Sequence, residues 1–243
     1  MINSVRNTVL SVLNKNNYGY ISPADFNLFA KQAQLDLFEN YFYNYNYQIN
    51  KENARQSGVG YANITQGYEE VIDTFSTTVD LTVQGATNTF AVPTDYYLLN
   101  QLRYDSQSVP AVSLKIMERV SQSKILLLQN SPITAPSELF PAYTLQGGLV
   151  TAYPTTINTQ GDVVCQYIRY PLDPKWTFSS VPGATGEPLF DSTAVDYQDF
   201  ELPSSDEPSL VLRILEYAGL SIRELAIYEA ASKEDMEENA AEK

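Results

Sequence analysis

Side chains able to do acid–base, nucleophilic or metal chemistry are sparse in this 243-residue chain. It has no histidine, which removes the commonest general base at neutral pH and the commonest zinc ligand. Cys165 is the one cysteine, so neither an internal disulfide nor a thiolate cluster can form. It lies in the alternating run GDVVCQYIRY, which predicts a thiol in a core or sheet rather than a nucleophile. Glu69 and Glu70 are adjacent and do not share a helix face. Glu237 and Glu238 lie in an acidic tail, where solvated charge is the expected state. No HExxH, GxSxG, Walker, CxxC or DxDxDG pattern occurs, and the Gly58–Gly60 pair lacks GxGxxG spacing and a preceding strand. A carboxylate dyad or a lysine nucleophile is the chemistry left open, and no spacing points to either. Neither catalysis nor a cofactor or metal is expected.

The chemistry that the chain does offer is recognition. In ENYFYNYNYQIN, five aromatics fall in the seven positions from Tyr41 to Tyr47. Tyrosine adds apolar area with few rotors and keeps a polar end, which suits both cores and interfaces. Charged residues make up 18% of the chain, below the usual quarter, and Asn, Gln, Ser, Thr and Tyr dominate its polar set. That composition fits a surface largely covered by neighbours.

Fifteen basic against 29 acidic residues give a formal charge of −14, the wrong sign for a general DNA binder. The acid is concentrated late: residues 201–243 carry 4 basic and 11 acidic side chains, a net of −7, whereas residues 1–60 are near neutral. Stacking platforms for single strands interleave aromatics with Arg or Lys, and around Tyr41–Tyr47 the nearest basic residues are Lys31, Lys51 and Arg55. No apolar run approaches the roughly 20 residues that span a bilayer. MINSVRNTVLSVL reads as a short amphipathic helix rather than a signal peptide.

The elements that position these residues follow from periodicity. Val5, Val9, Val12 and Leu13 share a helical face. A second helix starts at Ser22 as cap, with Pro23 in the first turn and Asp25 facing unpaired amides. Its stripe runs Phe26, Phe29, Ala30, Ala33, Leu37, Tyr41, Tyr45, and an end near Tyr45 is expected. Tyr43 and Tyr47 then fall on a different face from Tyr41 and Tyr45. An irregular link around 57–66 and a short helical or extended piece to Phe75 come next. From Thr77 the period changes to two: Val79, Leu81 and Val83, a turn at Gly85, then Phe90 and Val92 predict a strand pair. DYYLLNQLRYD reads as a short helical turn leading into a strand. Val112, Leu114 and Ile116 alternate, then a turn or short helix follows. YTLQGGLVTAYP and GDVVCQYIRYP add strands, and antiparallel pairing is expected because no long crossover helices intervene. Residues 171–192 read as a long turn-rich loop holding Trp176, the one tryptophan, with a short strand near Val195–Leu202. Trp176 is either a core plug or an interface anchor. Ser205 is the expected cap of a C-terminal helix with Leu210, Val211, Ile214 and Leu215 on one stripe. After an interruption at Gly219, Ile222, Leu225, Ala226 and Tyr228 form a second or bent piece. The fold class expected is α+β: an N-terminal helical part (1–76), an antiparallel β-rich middle (77–202) and C-terminal helices with an acidic tail (203–243).

Three segments taken together, GYISPADFNLFAKQAQLDLFENYF, FAVPTDYYLLNQLRYD with CQYIRYPLDPKW, and DFELPSSDEPSLVLRILEYAGLSIRELAIYE, resemble structural proteins of crAss-like and related phages. The likeness covers roughly residues 2–230 and is strongest to ring proteins below the portal in the neck of short-tailed virions. The resemblance implies a twelve-fold ring that continues the portal channel. It implies partners in the portal protein, other neck rings or tail proteins, and passage of double-stranded DNA without sequence reading. It implies no catalytic residue, no cofactor and no membrane, with assembly in the host cytoplasm and residence in the virion. Candidate ring or partner contacts are Tyr41, Tyr43, Tyr45, Tyr47, Trp176, Leu210, Ile214, Ile222 and Tyr228. The long β-rich middle departs from portal-contacting adaptors and leaves open a lower layer of the neck. Rival expectations are a tail hub, fibre adaptor or capsid accessory protein, and a receptor-binding module whose tyrosines and Trp176 line a sugar groove.

Overall fold

The computed structural model describes residues 1–13, 21–53, 64–85, 87–106, 114–179, 188–222, 232–233 and 236. In chain order its elements are α1 (Ile2–Leu13), α2 (Pro23–Asn53), α3 (Ile64–Asp73), β1 (Ser76–Asp80), β2 (Thr82–Val83), β3 (Thr89–Ala91), β4 (Tyr96–Tyr104), β5 (Lys115–Ile116) and β6 (Glu118–Arg119). They continue as α4 (Gln122–Gln129), β7 (Ala142–Gln146), β8 (Leu149–Tyr153), β9 (Val163–Arg169), β10 (Phe178–Ser179), β11 (Leu189–Phe190) and, after a 3-10 turn at Ser204–Asp206, α5 (Glu207–Ile222). The fold is α+β, with N-terminal helices, a β-rich middle and a C-terminal helix. Two compact units divide it: Met1–Val71 with Pro171–Lys243, and Ile72–Tyr170. The cut differs from the three-part division by sequence. Residues 171–202 group with the helices, and the two ends of the chain build one unit.

In the helical unit, α2 begins as its sequence dictates. The Asp25 N–H donates to Ser22 Oγ at 3.2 Å, and the Ser22 hydroxyl donates back to Asp25 Oδ2 at 2.6 Å. Phe26, Ala30, Ala33, Leu37, Phe38 and Tyr41 are all buried. The helix does not stop near Tyr45 but runs on to Asn53. Gln48, 6% exposed, prolongs the inner stripe, and no Gly or Pro occurs between Tyr45 and Gly58 to break the helix.

Helix α5 packs against α1 and α2. Leu210, Ile214 and Ala218 are fully buried at spacings of four, and burying each Leu or Ile side chain contributes about 1.5–3 kcal/mol. Ser205 does not cap α5. Pro203 precedes the 3-10 turn, and the Ser205 hydroxyl donates to Asp206 Oδ1 at 3.1 Å. Gly219 lies inside α5 rather than ending it.

The start of α1 is capped from far along the chain. Asp199 Oδ1 accepts from the Ile2 N–H at 2.7 Å and from the Phe200 N–H at 2.8 Å, and Oδ2 takes the Met1 ammonium at 2.9 Å. Burial pushes the Asp199 carboxyl upward, but these hydrogen bonds outweigh it and hold its pKa below the usual carboxylate range. A depressed folded-state pKa gives stability that is present above the unfolded value, about 4, and is lost as pH falls through the folded value. Asp199→Asn should therefore lower stability by about 1 kcal/mol at neutral pH. The gap to wild type should close on acidification below about pH 4 in parallel urea titrations; a gap that persists there would assign the effect to packing.

The β unit is built from two sheets, ordered β1-β9-β4-β5 and β2-β3-β8-β7-β6. One core cluster draws Leu102, Cys165 and Tyr167 from the first and Phe90, Tyr143 and Val150 from the second. In β9 the period of two puts Val163, Cys165 and Tyr167 inward. Gly147 and Gly148 take φ of 57° and 77° and join β7 to β8, whose register closes with Gln146 opposite Leu149. That is the Gly-Gly hairpin geometry that positive φ at both turn residues requires. Pairing is antiparallel apart from the two-residue contact of β6 with β7.

One strand expectation is corrected and another is sharpened. The run Val79–Val83 is two strands, not one: β1 pairs with β9 in one sheet and β2 with β3 in the other, with Leu81 buried at the switch. The turn expected at the head of DYYLLNQLRYD is confined to Thr94 and Asp95, and the strand it leads into takes up Tyr96–Tyr104. Its Tyr and Leu residues form β4, which carries partners on both edges and two register irregularities near Leu98 and between Leu99 and Gln101.

Candidate assembly surface

Helix α2 separates the tyrosines as its period predicts. Tyr41 is buried, and its hydroxyl donates to Asp206 while its ring lies 6.5 Å from that of Tyr68. Tyr45 is half-buried. Tyr43 is 59% exposed and Tyr47 36% exposed. At 3.6 residues per turn, Leu28, Gln32, Glu39, Tyr43, Asn46, Tyr47 and Asn50 fall on one outward face of α2, and each is exposed. Asp25 and Asp36 fall in the same sector as Glu39, so that face combines carboxylates in its first half with two exposed tyrosines and an uncharged stretch from Asn40 to Asn50 in its second. The aromatic run therefore does two things: one side builds the core, and the other offers uncharged amphipathic area to solvent or a partner. A second bond of the same kind, from the Tyr217 hydroxyl to Asp36, ties α5 to α2. Burial foremost, and then this hydrogen bond to Asp36, raise the Tyr217 pKa well above that of free tyrosine.

Trp176 takes the core role of the two expected. It is 2% exposed and sits in a box of α1, α2 and the short β10–β11 hairpin. Its Nε1–H donates to Asn3 Oδ1 at 3.1 Å, and the Arg6 guanidinium carbon lies 3.8 Å from the ring centroid. Its backbone N–H donates to Asn27 Oδ1 at 2.8 Å, and the Asn27 amide returns a bond to the Trp176 carbonyl at 3.2 Å. Phe178 and Phe190 stack against the indole at 5.8 and 5.9 Å. Gln34 adds a second anchor, donating to the Leu172 carbonyl at 2.8 Å and accepting from the Glu201 N–H at 3.2 Å. The segment expected as a turn-rich loop with a strand at 195–202 is thus pinned to the helices, and its short strands lie at 178–179 and 189–190. Only the Lys175–Gln198 bridge falls near the expected strand.

Leu210 and Ile214 are fully buried within the helical unit, so with Trp176 they are interior residues and not surface contacts. Tyr228 and the Ile222 side chain lie outside the described residues, as do Leu225 and Ala226. Of the nine candidate contacts, Tyr43 and Tyr47 are exposed, Tyr45 is half-buried and Tyr41 is buried. Cys165 is fully buried and burial pushes its thiol up to about 12, as expected of a core thiol. Among the described residues, no cluster of His, Cys, Asp or Glu could hold a metal ion, and no helix is long and apolar enough to cross a membrane.

The sequence reading missed a second apolar surface, in the β unit. Leu126, Leu127, Ile133, Leu139 and Phe140 are 63%, 72%, 93%, 55% and 80% exposed within fifteen consecutive positions. The signal was present in KILLLQN: three consecutive leucines cannot all face one core, and only Ile125 of this helix is fully inside. Singly exposed apolar residues are ordinary, but five of them in one short segment mark a candidate contact region.

No protein-family model matches the chain, and comparison with curated proteins finds no match.

Proposed function

We propose that this chain is a structural protein of a short-tailed phage virion. It forms a ring in the neck that extends the portal channel, joins head to tail and guides double-stranded DNA outward during ejection. The observation that carries the reading is the outer face of α2, where exposed Tyr43 and Tyr47 lie in a stretch, Asn40 to Asn50, that has no charged side chain. Such a face suits repeated contact between copies, because tyrosine supplies area at low entropic cost and little charge must be desolvated. The segments that resemble phage ring proteins support it from the sequence. A net charge of −14 is compatible with a DNA conduit, where weak or repulsive phosphate contacts favour transit over capture. In this reading the partners are eleven further copies, the portal protein and neighbouring neck or tail proteins.

The direct test is negative-stain electron microscopy of the purified chain, alone and with its virion's portal protein. Closed rings with a central channel are expected. A discrete trimer that binds glycans saturably would replace this reading with a receptor-binding one.

A further inference from the structure

We infer that Tyr43 of one copy inserts into a small pocket at the start of α2 in the next copy, as the contact that repeats around the assembly. The inference rests on the ring reading and deepens it by naming what the outer face of α2 meets. The pocket lies wholly within the helical unit and has a volume of about 370 Å3. It is lined by residues 22–24 and 27 at the start of α2, by residues 175–178, and by Ala194 and Asp196. Its size is at the lower end of the roughly 300–1,000 Å3 of small-molecule sites, which suits a single aromatic side chain.

The lining selects the guest. Pro23, Ala24, Trp176, Phe178 and Ala194 make it largely apolar. Three of its polar members are engaged within the chain: Ser22 with Asp25, Asn27 with the Trp176 backbone, and Thr177 with the Asp191 carbonyl. The other two, Lys175 and Asp196, are exposed and paired with each other, so a charged guest finds no counter-charge. A paired carboxylate still accepts further hydrogen bonds. The guest that fits is therefore a neutral apolar ring with one hydroxyl donor, which is a phenol. The chain makes that bond three times within itself, from Tyr41 to Asp206, from Tyr217 to Asp36 and from Tyr167 to Asp95. Tyr43, at 59%, is the most exposed tyrosine among the described residues, and it stands in the uncharged stretch of α2. Helical period places Pro23, Ala24 and Asn27 about 100–160° around α2 from Tyr43 and about 24–30 Å along the axis. One copy can thus give its tyrosine to one neighbour and its pocket to another. Because the two faces differ, the contact is heterologous. Repetition of a heterologous contact closes a ring when the rotation per copy divides a full turn.

The test joins a cross-link to sedimentation velocity. A chain carrying both Ala24→Cys and Asn46→Cys, at two exposed positions, should give on oxidation a ladder of disulfide-linked oligomers on a non-reducing gel, and neither single variant should. The two positions are about 33 Å apart along one helix, too far to bridge within a chain. The native Cys165 is fully buried and does not compete. Ala24→Trp fills the pocket and should weaken association at least tenfold. Ala24 is exposed, so the thermal melt of that variant should match wild type. Tyr43→Phe and Asp196→Asn should each weaken association a few-fold, and together no more than either alone, because they remove the same bond. Absence of the ladder, or assembly unmoved by Ala24→Trp, overturns this contact and leaves the ring reading standing. A wild-type chain that stays monomeric at all concentrations, alone and with its portal protein, overturns both.

Discussion

Replacing Trp176 with alanine is expected to lower stability of the helical unit by about 3–5 kcal/mol, the usual cost of emptying a large aromatic site in a core. The indole is 2% exposed, stacked against Phe178 and Phe190 and covered by Arg6, so its removal leaves a cavity that three elements border. It also strips Asn3 Oδ1 of its donor. The loss should appear as a drop in melting temperature on the order of 10 °C by circular dichroism. Trp176→Phe keeps most of the volume and loses the Nε1–H bond, so a smaller loss is expected. The order of the two variants matters: equal, small losses would mean that the box is not the anchor of residues 171–202.

The second large effect concerns association. Tyr43→Glu with Tyr47→Glu is expected to reduce self-association by a factor of ten or more while leaving the monomer's melting temperature within about 1 °C. Exposed positions away from caps and cores usually change stability by no more than about 0.5 kcal/mol. Two new carboxylates on a face repeated at every contact must each be desolvated or repelled, which costs several kcal/mol per interface. Tyr41→Glu is the internal control. That ring is buried and its hydroxyl bonds Asp206, so folding itself should fail. Equal loss of folding and assembly in the Tyr43 and Tyr47 variants would remove these residues from the interface.

Much of the helical architecture is legible in the sequence because its signals are local. Ser22, Pro23 and Asp25 mark the start of α2, and the stripe from Phe26 to Tyr45 predicts which side faces inward. The Gly147–Gly148 hairpin and β9 are legible for the same reason. What was not legible depends on partners distant in sequence. The alternation through Leu81 is continuous along the chain, but its two halves pair with β9, 84 to 92 residues away, and with β3, 7 to 9 residues away. The β character of Tyr96–Tyr104 comes from being paired on both edges. The Trp176 segment looks like loop because its order comes from Asn3, Arg6, Asn27 and Gln34 on the two N-terminal helices rather than from its own periodicity.

The candidate assembly surface was legible in part. Helical period alone separates Tyr43 and Tyr47 from Tyr41, and the structure keeps that separation. Leu210 and Ile214 read equally well as core or contact from sequence, since an apolar stripe does not say which surface covers it; packing of α5 on α1 and α2 decides for the core. The exposed set from Leu126 to Phe140 went unread because a short helix with apolar residues on several sides has no period to follow.

The central claim is that this chain is a ring in a virion neck, and the most direct measurement is cryo-electron microscopy of the virions that carry it, with the neck reconstructed at side-chain resolution. The account predicts density for α2 and the β unit in a twelve-fold ring around the DNA channel, with the Tyr43–Tyr47 face against a neighbouring subunit. Density for this chain in a fibre or the capsid shell, with none in the neck, would contradict it.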